Sequence, residues 1–124
     1  MNQSEVAHKQ QGELYRYKAT FVKSVDGDTA DVVIQLGFNL SVQERIRLYG
    51  VNAPEMHGES LAAGQKAKDF AEAWLAYESL YLTSEVFRPF DSFGRVLATV
   101  YREGDPVSLN DALVAAGHAV PYFP

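Results

Sequence analysis

The apolar residues of this chain change their spacing along its length, and that succession of periods constrains the fold more than any other feature. From Glu13 to Val25 the segment ELYRYKATFVKSV sets Tyr15, Tyr17, Ala19 and Phe21 on one side, the period-two pattern of a half-buried strand. Asp26-Gly27-Asp28 then reads as a turn whose glycine is free to take positive φ. Ala30 to Leu36 is apolar and β-branched, Gly37-Phe38-Asn39 is a second turn, and Leu40, Val42, Ile46 and Leu48 occupy even positions of a third strand. The period becomes helical from Ser60 to Ala76, through Leu61, Ala67, Phe70, Ala71, Trp74 and Leu75, with Ser60 as the expected cap and Pro54 held in the preceding loop. Strands return at Leu80 to Val86 and Val96 to Tyr101. Between them, Arg88 to Arg95 contains a proline and a glycine that exclude a central strand. A short helix is expected from a Ser108 cap to about Ala116, with Gly117 as its stop.

The order is βββαββα. Five short strands with a helix after the third predict a closed Greek-key barrel of the OB type, an α+β arrangement that leaves no open sheet edge. A chain of 124 residues with 47% hydrophobic content suits one domain, expected over residues 13–124 behind a polar N-terminal arm at 1–12. With no cysteine, a metal would have to sit on oxygen or imidazole ligands, and oxygen favours hard ions. No apolar run approaches the roughly 20 residues that span a bilayer. The polar residues 1–12 lack the apolar core of a signal peptide, so a cytoplasmic location is the expectation. A formal charge of −5 argues against a protein that coats nucleic acid, so any phosphate chemistry must be local.

Three clusters could carry such chemistry. In Asp26-Gly27-Asp28-Thr29 two carboxylates flank a glycine and could hold a hard cation, although aspartates also occur in turns for their geometry alone. In the segment from Arg45 to Glu55, strand alternation puts Arg45 and Arg47 on one face, which can equally be a solvated outer face. Glu55 follows Pro54 and could point back toward the barrel mouth, or be an ordinary acid near a helix start. In Asp91-Ser92-Phe93-Gly94-Arg95, the arginine directly precedes an apolar strand, where a guanidinium can bind phosphate in bidentate fashion or simply face water.

Taken in order, V-D-G-D-T, R-x-R-L-x-G-V-x-x-P-E, D-x-F-G-R-x-L-A and L-N-x-A-L-V-x-x-G resemble the staphylococcal nuclease family, from about Tyr17 to Phe123. The resemblance implies a nuclease that hydrolyses DNA or RNA without strong sequence specificity. It implies a calcium ion, with magnesium or manganese as alternatives, held by Asp28, Asn52 and the backbone carbonyl of Ala53. It further implies Glu55 as the general base, Arg47 and Arg95 as the phosphate-binding pair, and Phe93 and Tyr122 as nucleotide contacts.

Three departures temper these implications. Asn52 stands where the best-known members have aspartate, which removes one negative charge and predicts weaker or altered metal binding. Phe93 stands where tyrosine is frequent and cannot donate to a phosphate, so Tyr122 is the stronger substrate contact. The third C-terminal helix of the family is lacking; the apolar surface it covers would then be open to the N-terminal arm or to a second subunit, making a homodimer an expectation. His57 reads as a solvated loop residue, His8 lies in the polar arm and His118 follows a helix stop, while Trp74, Phe70 and Leu75 read as core. Two functions stay open: an active metal-dependent nuclease, or a catalytically weakened domain that binds nucleic acid or protein.

Overall fold

The computed structural model describes residues 15–77, 79–85 and 90–123. The expected N-terminal arm, the first two residues of the first expected strand, Val86 at the end of the fourth and Arg88-Pro89 lie outside them. Strands β1 (Arg16–Asp26), β2 (Thr29–Gly37), β3 (Leu40–Leu48), β5 (Leu80–Ser84) and β6 (Val96–Arg102) close a barrel in the order β1-β2-β3-β6-β5. A 3₁₀ turn (Gly58–Ser60) and helix α1 (Leu61–Leu75) follow the third barrel strand, and α2 (Leu109–Ala115) follows the last. The expected five-stranded OB-type barrel with two helices is therefore present. A feature not anticipated is a small ribbon in which β4 (Val51–Asn52) pairs antiparallel with β7 (Val120–Pro121).

Neighbouring strands run antiparallel except at the closure, where β3 and β6 are parallel and Arg47 lies opposite Leu97. That contact brings the third strand beside the segment entered from Arg95. The interior is filled by Val32, Ile46, Leu82 and Val100 from the barrel, capped by Leu75 of α1 and by Leu109 and Leu113 of α2, all fully buried. Not every apolar position of the alternating pattern reaches this core. Leu36 and Leu40 flank the β2–β3 turn and are exposed because the hairpin projects past the barrel; Phe38 at its tip is 97% exposed with φ of 54°.

Two local expectations are corrected. Gly27 does not take positive φ; a glycine is required there because a Cβ would stand 2.6 Å from that of Ala67 and 3.1 Å from that of Ala53. Ser60 occupies the N-cap position of α1 without capping it. Its hydroxyl instead donates to the carbonyls of Glu55 and His57, tying the preceding loop together, while Leu61 faces solvent. The second helix ends as anticipated: Ser108 Oγ accepts from the Asp111 amide, and Gly117, at φ of 80°, allows its own amide and that of His118 to satisfy Val114 and Leu113. Among the described residues, no helix is long and apolar enough to cross a membrane.

Candidate nucleic-acid cleavage site

The site is assembled from three loops, and α1 fixes two of them. Ala67 of this helix meets Gly27 in the β1–β2 turn, and Gly64, one turn earlier, lies against the carbonyls of Glu55 and Pro54 so closely that a Cβ would collide with the Glu55 carbonyl. Small residues on one helix face thus let the Asp26-Gly27-Asp28 turn and the Pro54-Glu55 loop approach the same surface. The third loop, from Phe90 to Arg95, carries its own brace. Asp91 accepts from the amides of Phe93 and Arg95, both at 2.9 Å, and from Arg95 Nε at 2.6 Å. Partial burial pushes the Asp91 carboxyl up, but these hydrogen bonds outweigh it and hold the group below the ordinary carboxylate range.

Asp28 is the buried hub between the loops. One carboxylate oxygen accepts from the Ala53 amide at 2.8 Å and lies 3.3 Å from Arg47 Nη2; the other accepts from the Thr29 hydroxyl at 3.1 Å. Arg47 Nη2 also donates to the Asn52 side-chain oxygen at 3.3 Å, and Nη1 donates to the Leu48 carbonyl at 2.9 Å. Arg95 Nη1 reaches the Thr29 hydroxyl at 3.4 Å. The two arginines therefore converge on one dipeptide, Asp28-Thr29. Arg45, on the same strand face as Arg47, is instead committed to Asp31, with Nε to Oδ1 at 2.8 Å.

Beside this hub opens a cleft of about 680 Å³, lined by Arg47, Asn52, Phe93, Arg95 and Tyr122 among others. Phe93 is 82% exposed, and the Arg95 guanidinium lies 5.2 Å from its ring centre. The Tyr122 amide donates to the Gly50 carbonyl at 2.8 Å, which seats the C-terminal segment over the β3–β4 loop. The cleft thus gathers five of the eight residues singled out in the sequence. Asp28 and Ala53 are buried behind it. Glu55 is not a wall residue: its side chain is 69% exposed and pairs with His57 Nε2 at 2.7 Å.

The oxygen donors present suit a hard cation in kind. Burial, followed by repulsion from Asp28 and Glu55, raises the Asp26 carboxyl above its ordinary range, with Arg95 and Lys68 opposing. Three carboxylates thus share one field, which a divalent cation would relieve. Among the described residues, however, no three histidine, aspartate or glutamate side chains stand close enough to hold an ion by themselves. An ion here would need the Asn52 amide oxygen and a backbone carbonyl beside Asp28.

Sequence reasoning missed several walls of the cleft. Tyr49 and Phe123 meet edge to face at 5.8 Å, and the Phe123 ring lies 2.9 Å from where a Gly50 Cβ would stand. Leu97 and Glu85 also line it. Gly50 was a readable sign of close approach; Glu85 gave none, because only strand register carries it there. Residues 45–124 match the model of the staphylococcal nuclease homologue family. No curated protein matches the chain.

Proposed function

The chain belongs to the staphylococcal nuclease family, a family of nuclease-type and nucleic-acid-binding domains, and from that premise we propose that it hydrolyses phosphodiester bonds in DNA or RNA with a divalent cation. The observation that carries this reading is the convergence of Arg47 and Arg95 on Asp28-Thr29 at the wall of an aromatic-lined cleft. Two guanidiniums so placed grip the non-bridging oxygens of one phosphate and offset the charge that grows on them as phosphorus becomes crowded. Asp91 orients Arg95 before substrate arrives, so little reorganisation is needed. Tyr122 and Phe93 offer ring faces on which a base can stack, a contact that does not by itself select among bases.

Glu55 acts as the base in this reading. Water bonds to phosphorus as the bond to the leaving oxygen breaks; the water proton passes to Glu55, and the leaving oxygen is protonated from solvent. Asp28, Asn52 and the Ala53 carbonyl would hold a calcium ion, or magnesium or manganese in its place, which when bound polarises the phosphoryl oxygen. The exposed position of Glu55 beside His57 requires its side chain to leave His57 and turn toward the cleft when substrate binds, on a loop that α1 and Ser60 hold in place.

A second reading is a binding domain with weakened catalysis. It is favoured by Asn52 in place of a second acid and by the engagement of Asp28 with the Ala53 amide and Arg47. Hydrolysis of single-stranded DNA and RNA, with each of the three ions and with chelator, separates the two. We expect ion-dependent cleavage that falls at least about a hundredfold in Glu55→Gln, the scale of a lost general base. Absence of cleavage with every ion, alongside retained binding of the oligonucleotides, would leave the binding reading standing.

A further inference from the structure

The cleft holds a second carboxylate that the reaction does not use. Glu85 follows β5, and its amide donates to the Leu97 carbonyl at 3.0 Å, continuing the β5–β6 pairing by one residue. Leu97 in turn lies opposite Arg47 across the parallel β3–β6 contact. Arg47, Leu97 and Glu85 therefore form a row across three adjacent strands, with the two charged residues separated by two strand spacings, about 9–10 Å between backbones. All three line the cleft, and Leu97 is nearly buried between them. The row presents a cation, an apolar floor and an anion in succession.

The two cleft carboxylates differ in their engagement. Asp91 is held by Arg95 and by backbone amides, whereas the half-buried Glu85 carboxylate has no hydrogen bond or ion pair among the described residues. A carboxylate is an acceptor only, and in a groove that takes up phosphodiesters it repels the ligand unless the ligand brings a donor to it. Phosphate cannot supply one; a base edge can.

We propose that Glu85 reads the base whose phosphate is held by Arg47, and that it selects guanine. This inference rests on the phosphate-binding reading of the cleft. Guanine presents two neighbouring N–H groups, N1 and N2, that match the two carboxylate oxygens. The amino groups of cytosine and adenine offer a single position, and thymine or uracil flanks its one N–H with carbonyl oxygens that Glu85 repels. Leu97 supplies the apolar floor between the two polar contacts.

The test is titration of the whole protein with dGMP, dCMP, dAMP and dTMP, on wild type and Glu85→Gln, with thermal melting to verify folding. We expect dGMP to bind at least about tenfold more tightly than dTMP to wild type, the scale of charge-assisted bonds that one base makes and the other does not. In Glu85→Gln that ratio should fall below about threefold, because the amide offers only one acceptor oxygen. Equal binding of dGMP and dTMP to wild type, or a guanine preference that persists in Glu85→Gln, overturns the inference. Titration with inorganic phosphate tests the premise separately: binding that neither Arg47→Ala nor Arg95→Ala weakens would remove the phosphate site itself.

Discussion

Asp91 engages both carboxylate oxygens within its own loop, bonding the amides of Phe93 and Arg95 with one and the Arg95 guanidinium with the other. It is a positioning residue, so Asp91→Asn should lower kcat more than it raises KM, and the loss should be partly separable from folding. Its carboxyl lies below the ordinary range when folded, so its stabilisation is in place above the unfolded pKa and is lost as pH falls through the lowered value. Denaturant melts of Asp91→Asn should accordingly show a deficit of about 1–2 kcal/mol at pH 7 that closes in acid below about pH 4. Asp26 has the opposite sign. Its carboxyl is raised by burial and by Asp28 and Glu55, so its ionisation weighs against the fold above the unfolded pKa. Asp26→Asn should therefore melt higher than wild type at pH 7 without added divalent ions, and the advantage should vanish below about pH 4. Restoring charge at the neighbouring loop, Asn52→Asp should tighten calcium binding; a calorimetric titration with no change would place the ion elsewhere.

The elements that hold the site are a helix face of small residues and one buried amide. Gly64 and Ala67 bring α1 against both site loops, and a methyl group at position 64 would collide with the Glu55 carbonyl. Gly64→Ala should cost about 1–3 kcal/mol by overpacking and should shift the Pro54-Glu55 loop, lowering hydrolysis beyond what the stability loss alone predicts. Circular dichroism melts beside turnover measurements distinguish the two effects. Asn110 in α2 does comparable work from the other side. Its side-chain oxygen accepts from the Val100 amide at 3.2 Å, and its amide donates to the carbonyls of Tyr49 at 2.8 Å and Ala98 at 3.2 Å. It thereby pins the β3–β4 loop, which leads into Asn52 and Ala53, to the last barrel strand. Asn110→Ala removes this partner from the Val100 amide and the Tyr49 carbonyl, while the Ala98 carbonyl keeps the Tyr49 amide, and we expect a loss of about 1–3 kcal/mol in urea unfolding, measured by fluorescence of Trp74.

For the whole molecule, the barrel closure is what makes a site possible. The parallel β3–β6 contact joins segments about fifty residues apart in sequence and sets Arg47 beside the strand that follows Arg95. In an acidic chain of net charge −5, two guanidiniums, Arg47 and Arg95, thereby come to line one cleft. Binding of oligonucleotides should be weakened by added salt, with a shallow slope that reflects few phosphate contacts rather than a coated backbone.

The sequence by itself determined the barrel class, the strand and helix order and the ends of α2, because period, turn residues and caps are local signals. It also determined the family, since four motifs stand in order, the first three carrying Asp28, Arg47, Glu55 and Arg95. Only the tertiary structure decided why Gly27 is glycine, that Ser60 ties a loop instead of capping a helix, and that the C-terminal segment pairs with β4. It alone separated Arg47, at the cleft, from Arg45, neutralised by Asp31, although alternation put both on one face. It also set Glu55 on an exposed loop and brought Glu85 into the row with Arg47. The physical reason is common to all of these: each depends on contacts between residues distant in sequence, set by strand register and helix docking, which leave no periodic trace in the chain.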